Sequence, residues 1–260
     1  MPTYAILGAS GFTGRSILTL LLKDPENRIN VYVRSKSKLL SLFPGLEENK
    51  SVRIFDGRLD DIPLIASCIS PDVNTVFCVL GLNENLPGIR IAQDGAQAIV
   101  AALCYPNPEG RAKKPPRVIF LSSASINPRI AAKEPPFILG FIKRALSYAY
   151  EDLALAEAYL RLHESWLNVT FVTPGGLVED EQKGHVLSLD HSQTFLSYPD
   201  LAAAMIEIAE SNGYEWMGVG VLPKGKNVKI EWKAPAQMAR GLVWHYLPWI
   251  GWAAKHLGLF

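Results

Sequence analysis

Gly8-Ala9-Ser10-Gly11-Phe12-Thr13-Gly14 follows an apolar run, Tyr4-Ala5-Ile6-Leu7, and opens an amphipathic one, Ser16-Ile17-Leu18-Thr19-Leu20-Leu21-Leu22. Strand, glycine-rich turn and helix in that order build a dinucleotide site. Residues without a Cβ let the backbone bend sharply and let a pyrophosphate approach. The new helix then turns free N–H groups and the positive end of its dipole toward the phosphates. With both flanks present, the GxxGxxG spacing assigns Gly8, Ser10, Gly11, Phe12, Thr13 and Gly14 to a nucleotide.

Beyond the turn, short β-branched runs at 3–7, 30–33, 52–55, 75–79, 117–121, 169–172 and 218–221 alternate with longer helical stretches. That alternation predicts an α/β fold, a doubly wound parallel Rossmann sheet flanked by helices, with ligands at the carboxyl ends of the strands. The chain reads as a single Rossmann-type domain over 1–260, with substrate-side segments at about 127–150 and 177–260. Residues 105–116, YPNPEGRAKKPP, cannot hold a helix and read as an exposed loop. Residues 127–147 join a Pro-Pro break to an apolar patch and fit either a mobile substrate-side segment or a core-packing helix. Ser197-Tyr198-Pro199-Asp200 is a capping box that starts a helix over 201–209.

Composition narrows the partners. A 260-residue chain with 48% apolar residues can bury a full core. Its formal net charge of +1, without a long like-charge block, argues against a nucleic-acid surface. Cys68, Cys78 and Cys104 are an odd number with no CxxC spacing and fit a reducing compartment. The first strand begins almost at Met1, which leaves no room for a leader, so a cytoplasmic location is expected. The five histidines lack metal-ligand spacing, and no metal is expected.

About twenty residues past the glycine turn, where NAD sites place an acid for the ribose hydroxyls, this chain reads Val33-Arg34-Ser35-Lys36-Ser37-Lys38. A guanidinium suits a 2′-phosphate, so Arg34, with Lys36 behind it, points to NADP(H).

GASGFTG, VRSKSK, TVFCVLG, VIFLSSAS and AEAYLRLHESWLNVTFVTPGGLVED together resemble an atypical short-chain dehydrogenase/reductase of the NmrA-like kind. The chain is particularly similar to fungal tailoring proteins of the averufin-oxidase type, which accompany polyketide pathways, to about residue 222. That resemblance implies an NADP-dependent oxidoreductase and a set of cofactor contacts. Where the family reads Gly-Asp-Leu beside the adenine, the matching residues are Gly57-Arg58-Leu59, followed by Asp60 and Asp61, so Arg58 replaces the acidic contact. Leu80 and Gly81 would line the nicotinamide ribose, and Pro174, Gly175, Gly176 and Leu177 would hold the carboxamide through backbone groups.

Reductases of this class polarise a carbonyl with Tyr-x-x-x-Lys and a serine after the fifth strand. Here Ser122, Ser123 and Ser125 stand at that strand's end, with Ser123 nearest the catalytic position and Ser122 on the cofactor side. No predicted helix carries a Tyr-x-x-x-Lys pair. Tyr148 and Asp152 share a helical face, with an acid where the lysine would be, and Tyr150 is a second candidate donor. An ionised aspartate beside the phenol would raise its pKa and oppose the usual activation.

The leading expectation is therefore NADP-linked redox chemistry on a carbonyl or enone of a hydrophobic, polyketide-derived aromatic metabolite. The missing lysine keeps a non-redox isomerase, cyclase or dehydratase in play, and the NmrA-like resemblance allows a dinucleotide-sensing regulator. The final run, GLVWHYLPWIGWAAKHLGLF over 241–260, fits a lid over the cleft, a core-capping element, or a less favoured interfacial membrane contact.

Overall fold

Tyr4 and Ile6 of the first strand turn to one side of the sheet and Ala5 and Leu7 to the other, and all four are buried. A strand apolar on both faces needs a helical layer on each, which is the requirement of a parallel sheet. The computed structural model describes residues 1–69, 72–82, 84–106, 114–193, 195–225, 234–250 and 253.

In chain order the elements are β1 (Thr3–Leu7), α1 (Phe12–Leu21), β2 (Arg28–Val33), α2 (Lys36–Leu42), β3 (Val52–Asp56), α3 (Ile62–Ile69) and β4 (Thr75–Cys78). Then come α4 (Ile91–Leu103), β5 (Arg117–Leu121), α5 (Pro128–Ala131), α6 (Pro136–Ala145), α7 (Ser147–Arg161) and β6 (Asn168–Val172). The rest is β7 (Leu177–Val178), β8 (His185–Ser188), β9 (Leu196–Ser197), α8 (Tyr198–Glu210), β10 (Gly218–Pro223) and α9 (Ala234–Tyr246). The main sheet runs β3-β2-β1-β4-β5-β6-β10-β8, with every neighbouring pair parallel except β10 with β8. It is a Rossmann-type α/β fold with additional C-terminal helices, and the antiparallel edge makes the sheet mixed rather than purely parallel. The strand order reverses between β1 and β4, so the glycine turn after β1 lies at the switch point.

Ile17 and Leu21 of α1 with Leu201 and Met205 of α8 cover one face, packed on Ile6, Val31, Phe77 and Ile119. Ile65 of α3, Ile99 of α4 and Leu160 of α7 cover the other, against Leu7, Val76, Phe120 and Phe171. The capping box forms as read: Ser197 Oγ accepts from Asp200 N at 3.1 Å and donates to the Asp200 carboxylate at 2.8 Å. That carboxylate reaches on to the Lys183 and Gly184 N–H groups, fastening the loop before β8.

Two glycines set how closely α1 approaches the sheet. Gly8 has φ +100°, and a Cβ there would lie 3.0 Å from the Val79 carbonyl oxygen. A Cβ on Gly14 would lie 2.2 Å from the Gly8 carbonyl oxygen, so only glycine lets the first turn of α1 rest on the end of β1. Gly14→Ala should therefore destabilise the fold by about 1–3 kcal/mol through a forced shift of α1, read as a lower denaturant midpoint. An unchanged midpoint would show that the turn relaxes freely.

Candidate active site

The glycine turn fits a phosphate. Gly11 caps α1 without a side-chain hydrogen bond, and the first turn of the helix carries no acid. The leading N–H groups of α1 thus keep their donor capacity for an anion. Phe12 stacks on Tyr198 at 5.0 Å, and the Arg15 guanidinium lies 4.5 Å from the Phe12 ring centroid, which adds a positive charge beside the turn. Leu80 fills the space between the turn and α4, where Cβ atoms on Gly8 and Gly95 would meet its methyl carbons at 3.4 and 2.8 Å. Gly81, next along, faces open space.

At the end of β2, Ser35 caps α2 by accepting from Lys38 N at 3.2 Å, and Lys36 N donates to Asp56 at 3.1 Å. The Lys36 ammonium pairs with Glu47 at 2.5 Å on the surface. Arg34 is exposed at the strand end itself. Arg58 is exposed as well and pairs with Asp60 at 3.3 Å, while its carbonyl accepts from the Tyr32 hydroxyl at 2.6 Å. Leu59 is half-buried and packs against the core cluster that contains Tyr32.

The ends of β5 and β6 are tied together by Ser122 N to the Val172 carbonyl, 2.7 Å, and Ala124 N to the Pro174 carbonyl, 2.9 Å. The Gly176 carbonyl accepts from Leu196 N at 2.9 Å, and Leu177 lies in β7. Of the backbone groups assigned to the carboxamide, the Pro174 and Gly176 carbonyls thus accept hydrogen bonds within the protein, and Gly175 lies between them. Thr173, fully buried just before them, has a hydroxyl oxygen with no hydrogen-bond partner among the described residues. Sequence reasoning passed over it because a threonine at a strand end is ordinary.

The serines divide. Ser122 is buried and donates to the Glu157 carboxylate on α7, whose pKa burial pushes up while Ser122 and Arg161 draw it back. Ser123 and Ser125 are instead hydrogen-bonded to the hydroxyl of Tyr150, which donates to Ser125 Oγ at 3.2 Å. Burial raises the Tyr150 pKa above its ordinary 10.0, and the two serine hydroxyls pull it partway back.

The structure does not bring Tyr148 and Asp152 together as a working pair. The Tyr148 hydroxyl donates to the Trp244 carbonyl at 3.5 Å, and its N–H donates to Asn85 at 2.8 Å. Asp152, 2% exposed, accepts from Ala92 N at 2.9 Å, Gln93 N at 3.0 Å and Gln93 Nε2 at 3.1 Å. Its charge meets the positive N-terminal end of α4, as an aspartate does well and a lysine cannot. Tyr150, two residues from Tyr148 and so on the opposite side of α7, is the tyrosine that faces the serines. Burial pushes the thiols of Cys68 and Cys78 up to about 12, which removes them as nucleophiles at neutral pH. His185 opens the edge strand β8 and pairs with Glu207 at 2.7 Å, and His191 N donates to Ser188, so both serve the edge.

The C-terminal run enters the site region from the side. In α9, Gly241 packs against the end of α6, where a Cβ would lie 2.0 Å from the Ala145 carbonyl oxygen, and Trp244 is buried. Asn85, buried after β4, donates to the Gly241 carbonyl at 3.2 Å, and His245 Nδ1 lies 2.9 Å from Ser147 Oγ. Trp252 and residues 254–260 of that run, like residues 107–113 of the predicted loop, lie outside the described residues.

A family model described as NAD(P)H-binding matches residues 8–212. The oxidoreductase stcQ of Emericella nidulans is 42% identical over 255 residues, spanning 96% of this chain and 93% of that protein. The oxidoreductase ordB of Dothistroma septosporum is 41% identical over 250 residues, 96% of this chain and 93% of that protein. Among solved structures, a short-chain dehydrogenase/reductase of Veillonella parvula in complex with NADP shares the fold at TM-score 0.62. It is 19% identical and covers 87% of this chain and 97% of that one. The anaerobillin reductase ChuY of Escherichia coli has TM-score 0.64 at 17% identity, covering 87% of this chain and 100% of that one.

If Asp152 is a structural cap, Asp152→Ala leaves buried N–H groups of α4 unpaired and should cost roughly 1–3 kcal/mol of stability, read from chemical denaturation. Turnover per folded molecule should stay near that of the unchanged protein. Loss of turnover at full stability would return Asp152 to the chemistry.

Proposed function

Because the chain belongs to the NAD(P)H-binding family, we propose that it is an NADP(H)-linked oxidoreductase acting on a carbonyl or enone of a hydrophobic, polyketide-derived aromatic metabolite. The observation that carries this reading is the Tyr150–Ser123–Ser125 cluster at the carboxyl end of β5, on the ligand side of the sheet. The relatives named oxidoreductase, alike over nearly their whole length, support the reaction class.

Bound at the glycine turn, the nicotinamide nucleotide supplies a hydride. The N-terminal end of α1 would hold its pyrophosphate, Arg34 its 2′-phosphate, and Leu80 and Gly81 would border the nucleotide at the end of β4. Ser123 and Ser125 orient a substrate oxygen, and Tyr150 gives it a proton as negative charge develops there. A half-buried phenol without a neighbouring lysine, its pKa raised by desolvation, keeps its proton through the neutral range. Tyr150 is therefore suited to be the acid of a reduction and poorly suited to be the base of an oxidation. The three free thiols support a reducing compartment, and we place the protein in the cytosol.

Calorimetric titration should show tighter binding of NADPH than of NADH, and Arg34→Asp should reduce that preference roughly tenfold or more, as expected for one charge-assisted contact. Equal affinities in the unchanged protein would contradict the assignment. Lys36→Ala should move the preference little, since Glu47 already holds that ammonium.

Tyr150→Phe should lower turnover with NADPH and aromatic ketones roughly a hundredfold or more with nucleotide affinity kept, whereas Tyr148→Phe should not. The acid must be protonated, so reductive kcat should be flat through neutral pH and fall only as pH rises through the raised Tyr150 pKa, above 10.0. A descending limb near neutrality would place the proton on another group. Substrate conversion without NADPH consumption would favour the non-redox alternative, which the missing lysine supports.

A further inference from the structure

The faces of α6 and α9 turned away from the protein are unusually apolar. On α6, Phe137 and Phe141 form an i, i+4 stripe, and Phe137 is 79% exposed. On α9, Gly241 and Trp244 are used inward against α6 and α7, while Val243 and Tyr246 are exposed on the opposite side and Leu247, just past the helix, is exposed too. Trp249 follows at 65% exposure. Large aromatics so exposed on two packed helices go beyond the scattered apolar residues of an ordinary surface.

Charge says what the face meets. Residues 135–150 contain no Asp or Glu and carry Lys143 and Arg144, both exposed at the end of α6. Residues 234–260 also contain no Asp or Glu and carry Arg240 and Lys255. Arg240 is paired with Glu84 at 3.2 Å, which leaves Lys143 and Arg144, next to Phe141, as the positive charge beside the exposed aromatics. Aromatic and aliphatic side chains beside lysine and arginine, with acids excluded, are the composition of a helix that lies in a lipid–water interface. A two-fold contact between copies would set these positive segments against each other. No described helix is long and apolar enough to cross a bilayer, which leaves the interfacial mode.

We propose that the outer face of α6 and α9 seats this protein on an anionic lipid surface, with Phe137, Phe141, Tyr246, Leu247 and Trp249 entering the acyl boundary and Lys143 and Arg144 meeting the headgroups. The two helices adjoin the start of α7, which carries Tyr150, so the seated protein takes an apolar substrate where such a molecule dissolves. That last consequence rests on the function proposed above. Lipid binding does not, and it is measured without substrate.

The test is co-sedimentation of the full chain with phosphatidylcholine vesicles containing about 30% phosphatidylserine, against phosphatidylcholine alone. Binding should favour the anionic vesicles roughly tenfold, weaken several-fold at about 0.5 M salt, and blue-shift tryptophan emission. The double substitution Phe137→Ser with Trp249→Ser should lower the bound fraction at least about fivefold while NADPH affinity is kept. Lys143→Glu with Arg144→Glu should remove the preference for anionic lipid and leave the fold intact. No association with either vesicle, or association unchanged in both variants, would overturn the proposal. So would sedimentation velocity showing a dimer that the Phe137/Trp249 variant dissociates, since a second copy would then cover the face.

Discussion

The closeness of Gly14 to the Gly8 carbonyl is the constraint on which the rest hangs. With no Cβ in the way, α1 begins directly on the end of β1, and its unpaired N–H groups open at the point where the strand order reverses. One packing distance thereby places an anion-binding helix end next to Leu80 after β4 and one strand away from the serines after β5. The proposed cofactor and chemical sites adjoin because β1, β4 and β5 are neighbours in a parallel sheet, which sends all three loops to the same edge.

Around that edge the protein uses ionic and polar groups in two ways. Some are spent on structure: Asp152 holds the start of α4, Asp200 the loop before β8, and Asn85 the junction of α7 with α9. Each is buried and engaged by backbone groups, so each fixes where a neighbouring element begins. Others keep a capacity in reserve. Arg34 stands exposed at the end of β2, Thr173 carries a buried hydroxyl with no partner among the described residues, and Tyr150 holds its proton against two serines. The sorting separates the groups that build the site from those that can act in it.

Much of this is legible in the sequence, for physical reasons. The seven strands read from β-branched runs lie within two residues of the observed ones; β1, β2 and β4 are buried on both faces and so read as near-continuous apolar runs, whereas the edge strand β3 leaves Arg53 and Asp56 exposed. β8 escapes that reading: it is an antiparallel edge, partly exposed along its length, and His185-Val186-Leu187-Ser188 lacks an apolar run. The tyrosine is the instructive case. Spacing draws attention to Tyr148 with Asp152, since residues four apart share a helical face, but which face meets the site depends on how α7 is docked. Asn85 at the start of α7 and the α4 N-terminus at Asp152 set that rotation, and Tyr150 is the residue it delivers to Ser125. Contacts made across the fold decide it, and they have no local signature. For the same reason residues 241–247 read as one apolar run, although Gly241 and Trp244 face inward and Val243 and Leu247 outward.

The central claim is that a hydride and a proton meet at one carbon–oxygen bond beside Tyr150. Its most direct test is a single turnover with NADPH deuterated at the transferable C4 position and a panel of aromatic polyketide ketones, followed by mass spectrometry of the product. The account predicts one deuterium on the carbon that was the carbonyl or enone carbon, with the accompanying proton drawn from solvent. Product formed without deuterium would contradict it and turn the site into one of acid–base chemistry alone.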